Sequence, residues 1–437
     1  MSKVRLLIMV LCASLWAMGS YAQQSDVLTL EQLFALADEN SKTLKAEDAA
    51  VIEAQQGVKV AKNGYLPDLD ITLSASYLGN GCLTDRDFSN GQNIHMPHFG
   101  NNFAIQATQL IYGGGTVNNG VAMAKLKEEM AGVNREAARS RIRFMLTGFY
   151  LDLYKLHNVL KVYDRNIELA KVVIADTKAR NAAGVALQND VTRYELQLKN
   201  LELARRRVEN SVEILNYDLV TMLGLPADTR IQPDTTLVDR SLPTEGIAHW
   251  QQLAQADAYA VKQSALAVKM DERGERLARS ERRPKIAFVA ANHFDGPITI
   301  EVPTINKNFN YWYVGVGVSF NISSLYKANK SIKQAQYSTA LSRRRYDDVV
   351  EQTAMAVQTD YTKYLEAYDE VATWEKSVQL ATENYTVIEN RYRNDIALVT
   401  DMLDASNQLL DAELQLANAR INVLFNYYKL KNTSGNL

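Results

Sequence analysis

Asp401 and Asp404 stand three residues apart in the stretch RYRNDIALVTDMLDASNQLLDAELQLANAR, residues 391–420. It reads as Tyr392, a short non-helical run through Asn394, and then a helix. Groups at i and i+3 share one helix face, so the two carboxylates sit together. Near a helix N-terminus they complement the macrodipole and start the helix well. The other chemistry-bearing residues do not converge. His95-Met96-Pro97-His98 offers His95 and His98 as a soft-metal pair, with a solvated surface turn as the stronger reading. His157 lies among apolar helix positions and reads as packing. Gly113–Gly115 lacks the Lys-Ser/Thr of a phosphate loop and reads as a strand-to-helix kink. Arg205–Arg207 and Arg343–Arg345 read as solvated helix faces. With no catalytic constellation, the chain reads as a non-enzyme without a cofactor.

The elements that position Asp401 and Asp404 occur twice. Adding 211 carries Asp190 onto Asp401, Gln197 onto Gln408, Glu202 onto Glu413, Gly224 onto Gly435 and Asn118 onto Asn329. Leu146, Phe149, Leu153, Leu156, Leu160, Tyr163, Ile167, Ala170 and Ile174 alternate spacings of 3 and 4. Their counterparts run from Val357 to Tyr385 with one polar exception, Asp360. Two seams in register indicate a duplicated unit, and a sustained period near ~3.5 means helices wound against partners. All 8 prolines fall outside 98–225 and 304–437, so both tracts are free to form long helices. A helix over 116–178 would span about 95 Å at ~1.5 Å per residue, which predicts an elongated rod or tube.

Residues 1–22 carry Lys3, Arg5, an apolar run and small residues at Ser20 and Ala22, the pattern of a secretory signal cleaved after Ala22. Loss of Lys3 and Arg5 takes the net charge from −2 to −4, which argues against nucleic-acid binding. Cys82 is then the remaining cysteine, so no internal disulfide is expected. No later apolar run is long enough for a membrane helix. Export leaves the periplasm, the outer membrane or the exterior. The domain reading is repeat 1 over 23–225, a linker over 226–245, and repeat 2 over 246–437.

Each repeat opens with a helix, 28–64 (capped by Thr29 with Gln32 three on) and 246–282. Each continues into a hairpin, about 66–112 and 285–320. Alternation in these hairpins sets Leu69, Ile71, Leu73, Val314, Val316 and Val318 on an apolar face. Asp68, Asp70, Thr72 and Ser74 fall on a polar one. Four strands of about ten residues suit a bilayer crossing, where apolar positions face lipid and polar ones a lumen. Four strands cannot close a barrel of ~8 or more, so several copies would have to share one. Tyr77, Phe103, Tyr311, Trp312 and Tyr313 are the expected interfacial belt. The competing reading is a pair of surface hairpins.

The signal, the two repeats of helix, hairpin and long helices, and the run Tyr392…Asp401-Met402-Leu403-Asp404-Ala405…Ala417-Asn418-Ala419-Arg420 resemble the TolC family of outer-membrane efflux channels. The resemblance covers the mature chain. It implies a mainly α fold with a membrane β part: a homotrimer whose helices form a periplasmic α-barrel and whose strands, four per protomer, build one twelve-stranded β-barrel. It implies an exit duct for small molecules across the periplasm and outer membrane, embedded in outer-membrane lipid. Its partners would be a periplasmic adaptor and, through it, an inner-membrane transporter; type I protein secretion is the alternative duty. It further implies that Asp401 and Asp404 ring a periplasmic gate and that Tyr392 and Asp190 latch it. Turns at Gly184, Val185 and Leu187, and at Ile396 and Leu398, would meet the adaptor. Ala397 stands where the family's gate carries an arginine. A soluble periplasmic coiled-coil adaptor or scaffold is the contrasting class. It needs compact β domains around one helical hairpin, whereas this chain places two hairpins symmetrically.

Overall fold

The structure, a computed structural model, describes residues 25–234, 237, 242, 245–302, 304–394 and 396–437. The leader expected at 1–22 lies outside the described residues. The chain runs β1 (Ser25–Leu28), α1 (Leu30–Asn40), α2 (Lys42–Lys62), β2 (Asp68–Tyr77), β3 (Gly81–Leu83), β4 (Gln92–Ile94), β5 (Phe99–Tyr112), α3 (Thr116–Ala182) and α4 (Gln188–Leu223). It continues through β6 (Arg230–Pro233), α5 (Ile247–Asp257), α6 (Tyr259–Ser280), β7 (Lys285–Gly296), β8 (Phe309–Ser319), α7 (Ser324–Arg393) and α8 (Val399–Thr433). It divides into two compact units. One gathers the chain up to Asp48, Asn134–Lys262 and Val350–Leu437; the other gathers Ala49–Val133 and Gln263–Val349.

After β5 and β8 the proline-free tracts form the long helices α3, α4, α7 and α8, each unbroken between its ends. The seam of α3 is buried at Leu146, Leu153, Ile167, Ala170 and Ile174, and that of α7 at Val357, Tyr364, Ala367 and Tyr385. Asp360, the polar exception, is 5% exposed. Its carboxylate accepts from Lys429 Nζ at 2.9 Å and Thr433 Oγ1 at 2.7 Å. A buried carboxylate is tolerable when paired and hydrogen-bonded, so this position ties α7 to α8. Tyr392 lies inside α7, which runs to Arg393, so the expected non-helical run starts later than the sequence reading placed it.

The helices expected over 28–64 and 246–282 are each broken once, at Ser41 and at Ala258. The Thr29–Gln32 cap forms as expected, with bonds of 2.8 and 3.3 Å. Each break faces a glycine from far along the chain. Asn40 Nδ2 donates to Leu223 O at 2.9 Å beside Gly224. Gly435, at φ +79°, leaves room for only 2.3 Å between an added Cβ and the Asp257 carbonyl oxygen. A side chain there would collide with backbone, so glycine is required on both counts.

Three further ties brace the first unit. β1 pairs in parallel with β6, a strand the linker reading at 226–245 lacked. The Tyr150 hydroxyl donates to Leu28 O at 2.7 Å and accepts from Asp234 N–H at 2.7 Å. Asp38 on α1 bonds Arg139 at 2.5 Å and Arg143 at 2.7 Å on α3. Burial opposes the Asp38 charge, but the bonds and charges of the two arginines outweigh it and hold the carboxyl below its usual range.

The second unit holds an antiparallel sheet in the order β2-β5-β7-β8. Residues directly opposite share a face, so the register sorts the side chains. Leu69, Ile71 and Leu73 lie opposite Ala107, Ile105 and Phe103. Phe288, Ala290 and Asn292 lie opposite Val316, Val314 and Trp312. These form one face. The other carries Asp68, Asp70, Thr72, Ser74, Gln106, His293, Tyr311, Tyr313 and Ser319. Tyr77, Phe103 and Trp312 keep the apolar face. Tyr311 and Tyr313 do not: they stack on His293, at 5.1 and 6.1 Å between ring centroids, on the polar one. Period-2 geometry forbids three consecutive residues from joining one belt. The kink at Gly113–Gly115 places Gly114 at φ +68°, against Arg283 and the Ser280 carbonyl.

Candidate functional site

Two helical hairpins, α3–α4 and α7–α8, turn by the same device. Val185 N–H donates to Arg180 O at 2.9 Å and Ile396 N–H to Arg391 O at 2.8 Å, satisfying carbonyls at each helix end. The next helix is then capped from inside. Asp190 Oδ2 accepts from Leu187 N–H at 3.1 Å, and Asp401 Oδ2 from Leu398 N–H at 3.0 Å. An acid in the first turn also complements the macrodipole. Asp401 is therefore a helix starter in the single chain. Asp404, one turn on, accepts from Gln408 Nε2 at 2.8 Å. Both carboxylates are exposed. Gly184 lies in the first turn, and Val185, Leu187, Ile396 and Leu398 are 60, 70, 65 and 70% exposed. Apolar side chains at such exposure are open for contact.

Between the hairpins lies an apolar cluster of Ile174, Tyr194, Tyr385, Tyr392, Val399, Met402 and Ala405. Tyr392 and Asp190 line one cavity of about 600 Å³ together with Arg180, Arg193, Ala397 and Leu398. Within the single chain, among the described residues, they are bonded to other groups rather than to each other. Thr177 Oγ1 donates to Val173 O at 2.8 Å, so the Tyr392 hydroxyl, 3.2 Å away, donates to Thr177. The Arg180 guanidinium lies 5.1 Å from the centroid of the Tyr392 ring, and its Nη1 donates to Arg393 O at 3.3 Å. That carbonyl is at the negative end of α7. Arg180 thus brings a cation to the site that Ala397 leaves uncharged.

The same cluster holds two costs. The hydroxyls of Tyr194 and Tyr385 are buried without a hydrogen-bond partner among the described residues. Burial pushes the Tyr385 phenol up to about 12, and that of Tyr194 up as well.

The sequence reading did not single out Arg180, Thr177 or Asp360 as bonded groups. The available signal for Arg180 was its offset partner Arg391, both in the last turn of a long helix, where a cation suits the dipole. His95 and His98 belong to the second unit. Their rings meet edge to face at 5.3 Å, and His98 stacks on Tyr77 at 5.0 Å with Nδ1 at 2.8 Å from Leu78 O. Among the described residues no group of three or more His, Cys, Asp or Glu could hold a metal ion. Cys82 is exposed and unbridged.

Paired long helices with capped tips, joined to a sheet with one apolar and one polar face, define the class: an export channel of an outer membrane. The sequence profile described as "Outer membrane efflux protein" matches residues 33–225 and 250–436, and the chain belongs to that family. It is 22% identical over 421 residues to outer membrane efflux protein BepC of Brucella suis, covering 94% of this chain and 86% of that protein. It is also 22% identical over 449 residues to outer membrane protein TolC of Escherichia coli, covering 99% and 87%. Its fold matches the outer membrane protein VceC of Vibrio cholerae with a TM-score of 0.76 at 15% identity, covering 93% of this chain and 96% of that one. The protein is an outer-membrane efflux channel with a periplasmic extension.

Proposed function

We propose that three copies assemble into one duct, each giving β2, β5, β7 and β8 to a shared β-barrel, and that the α3–α4 and α7–α8 tips close its periplasmic end. The observation that carries this reading is the sheet. β2 and β8 are its edges, and every residue of both is exposed. Open strand edges cannot persist in lipid, because no water is there to satisfy their backbone groups. The two family-profile matches, over 33–225 and 250–436, support the duplicated architecture read as repeats at 23–225 and 246–437; the leader at 1–22 rests on its sequence pattern. Arrayed about the axis, Asp401 and Asp404 give six carboxylates that make the entrance cation-selective. Tyr392, Thr177 and Arg180 hold the hairpins together in the closed state. The apolar tips Val185, Leu187, Ile396 and Leu398 take the periplasmic adaptor, which links the duct to an inner-membrane pump.

Native mass in detergent tests the reading. The expected species is a trimer that conducts in planar bilayers; a stable monomer retaining its full β content would overturn it.

A further inference from the structure

At one end of the sheet, acidic residues on the β2 edge and basic residues beside the β8 edge give the two open edges opposite charge. β2 begins there with Asp68 and Asp70, and β8 ends there at Ser319. Where β8 runs into α7, Arg283, Lys285, Lys327, Ser319 and Ser324 line a cavity of about 640 Å³, with Glu281 as its acidic wall residue. Arg283 is partly occupied, donating to Gly114 O at 3.2 Å. Lys285 and Lys327 carry no ion pair among the described residues, and neither do Asp68 and Asp70. Lys285 pairs with Ser319, and Asp68 and Asp70 pair with Thr108 and Gln106, which puts all of these on the polar face.

We propose that this cavity is the socket for a second copy of this chain: Asp68 and Asp70 of the neighbour enter it and set the register in which β2 joins β8. The inference rests on the shared-barrel reading above and adds what aligns the seam. Each step across the sheet is antiparallel, so β2 of a neighbour laid along β8 continues the ladder. With the strand ends level, Asp68 meets Ser319 and Asp70 meets Gly317. On the other face Leu69, Ile71 and Leu73 then meet Val318, Val316 and Val314. A slip of one residue would turn both carboxylates onto the valine face. Gly317, opposite Asp70, leaves room for its carboxylate, since an added Cβ there would meet only the Ala287 carbonyl oxygen, at 4.0 Å. Complementary charge at a seam fixes register and suppresses wrong pairings.

Charge exchange in the full-length protein tests this, read as native mass in detergent and as the temperature at which the oligomer dissociates. K285E/K327E and D68K/D70K each place like charges together and should cut the trimer fraction by more than about tenfold. The quadruple variant restores opposite charges and should recover the trimer. The milder D68N/D70N cannot repel and should still assemble but dissociate at a lower temperature. Unchanged dissociation in D68N/D70N overturns the socket, as does a quadruple variant no better than the doubles. Loss with the lysine changes but none with the aspartate changes assigns the cavity to an anionic lipid headgroup and also overturns it. In each of these cases the wild-type trimer stands. A wild-type monomer instead overturns the shared barrel itself.

Discussion

Replacing Arg180 with alanine should release the helix tips. Arg180 contacts the Tyr392 ring and the Arg393 carbonyl across the hairpins. A cation over a phenol is worth about 0.5–2 kcal/mol, rising with desolvation, and Tyr392 is 6% exposed. A hydrogen bond from a charged donor gives about 1.5–3 kcal/mol. At 3.3 Å, from a half-buried arginine, the low end applies. Since the two contacts share one side chain's ordering cost, about 1.5–2 kcal/mol per chain is lost. Summed over the three copies of the proposed duct opening together, about 5 kcal/mol shifts the closed–open balance by more than three decades at ~1.4 kcal/mol per decade. Single-channel recording in planar bilayers should show larger, longer openings for Arg180→Ala. Arg206→Ala, which loses only an exposed pair with Glu209, should match wild type. Tyr392→Phe should fall between, keeping the ring but losing the bond to Thr177. If closed occupancy is unchanged in both Arg180→Ala and Tyr392→Phe, the tips are not held by this contact.

Four other outcomes are expected. Asp401→Ala with Asp404→Ala should weaken cation selectivity and relieve block by multivalent cations; unchanged reversal potentials would make these residues helix starters alone. Tyr194→Phe with Tyr385→Phe removes two unpartnered hydroxyls and should stabilise the closed state by about 1–3 kcal/mol each at most, raising the melting temperature and lowering conductance. Val316→Lys should impair assembly by roughly 2–4 kcal/mol at mid-bilayer, while Thr72→Lys is tolerated; the reverse result would invert the faces. Asp38 has a lowered folded-state pKa, so its stabilisation is full above the unfolded carboxylate value of ~3.9 and is lost as pH falls through the folded one. Asp38→Asn should flatten the acid limb of a melting-temperature profile below about pH 4.

How much of this was legible follows from how local each cause is. The long helices were, because freedom from proline and a seam of apolar residues are properties of the tract itself. The two faces of the sheet were as well, since alternation is carried residue by residue. The breaks at Ser41 and Ala258 were not. Neither has a proline or glycine; each is set by a distant segment, Leu223–Gly224 or Gly435, packed against it. The Asp401 cap could be read as the modest meaning of an acid in a first turn. The Tyr392 partner could not. Its hydroxyl bonds Thr177, 215 residues away, and only the packing of α3 on α7 brings the two together. Asp360 looked like a defect in a seam until Lys429 and Thr433 supplied its partners.

The parallel pairing of β1 with β6 bears on when the protein can finish folding. Ser25 pairs with Arg230, a separation of 205 residues (230 − 25). Closing so long a loop carries an entropic cost that only later contacts repay. During vectorial export the first strand to emerge is therefore the one that waits longest. It stays an open edge until α4 has emerged and the chain has reached Pro233. Four residues is a short edge to leave exposed for that interval, too short to recruit another chain strongly. The Tyr150 hydroxyl, bonded on one side to Leu28 and on the other to Asp234, can complete its pair of bonds only once both ends have arrived. The clasp can thus close only after the chain has been delivered through Asp234.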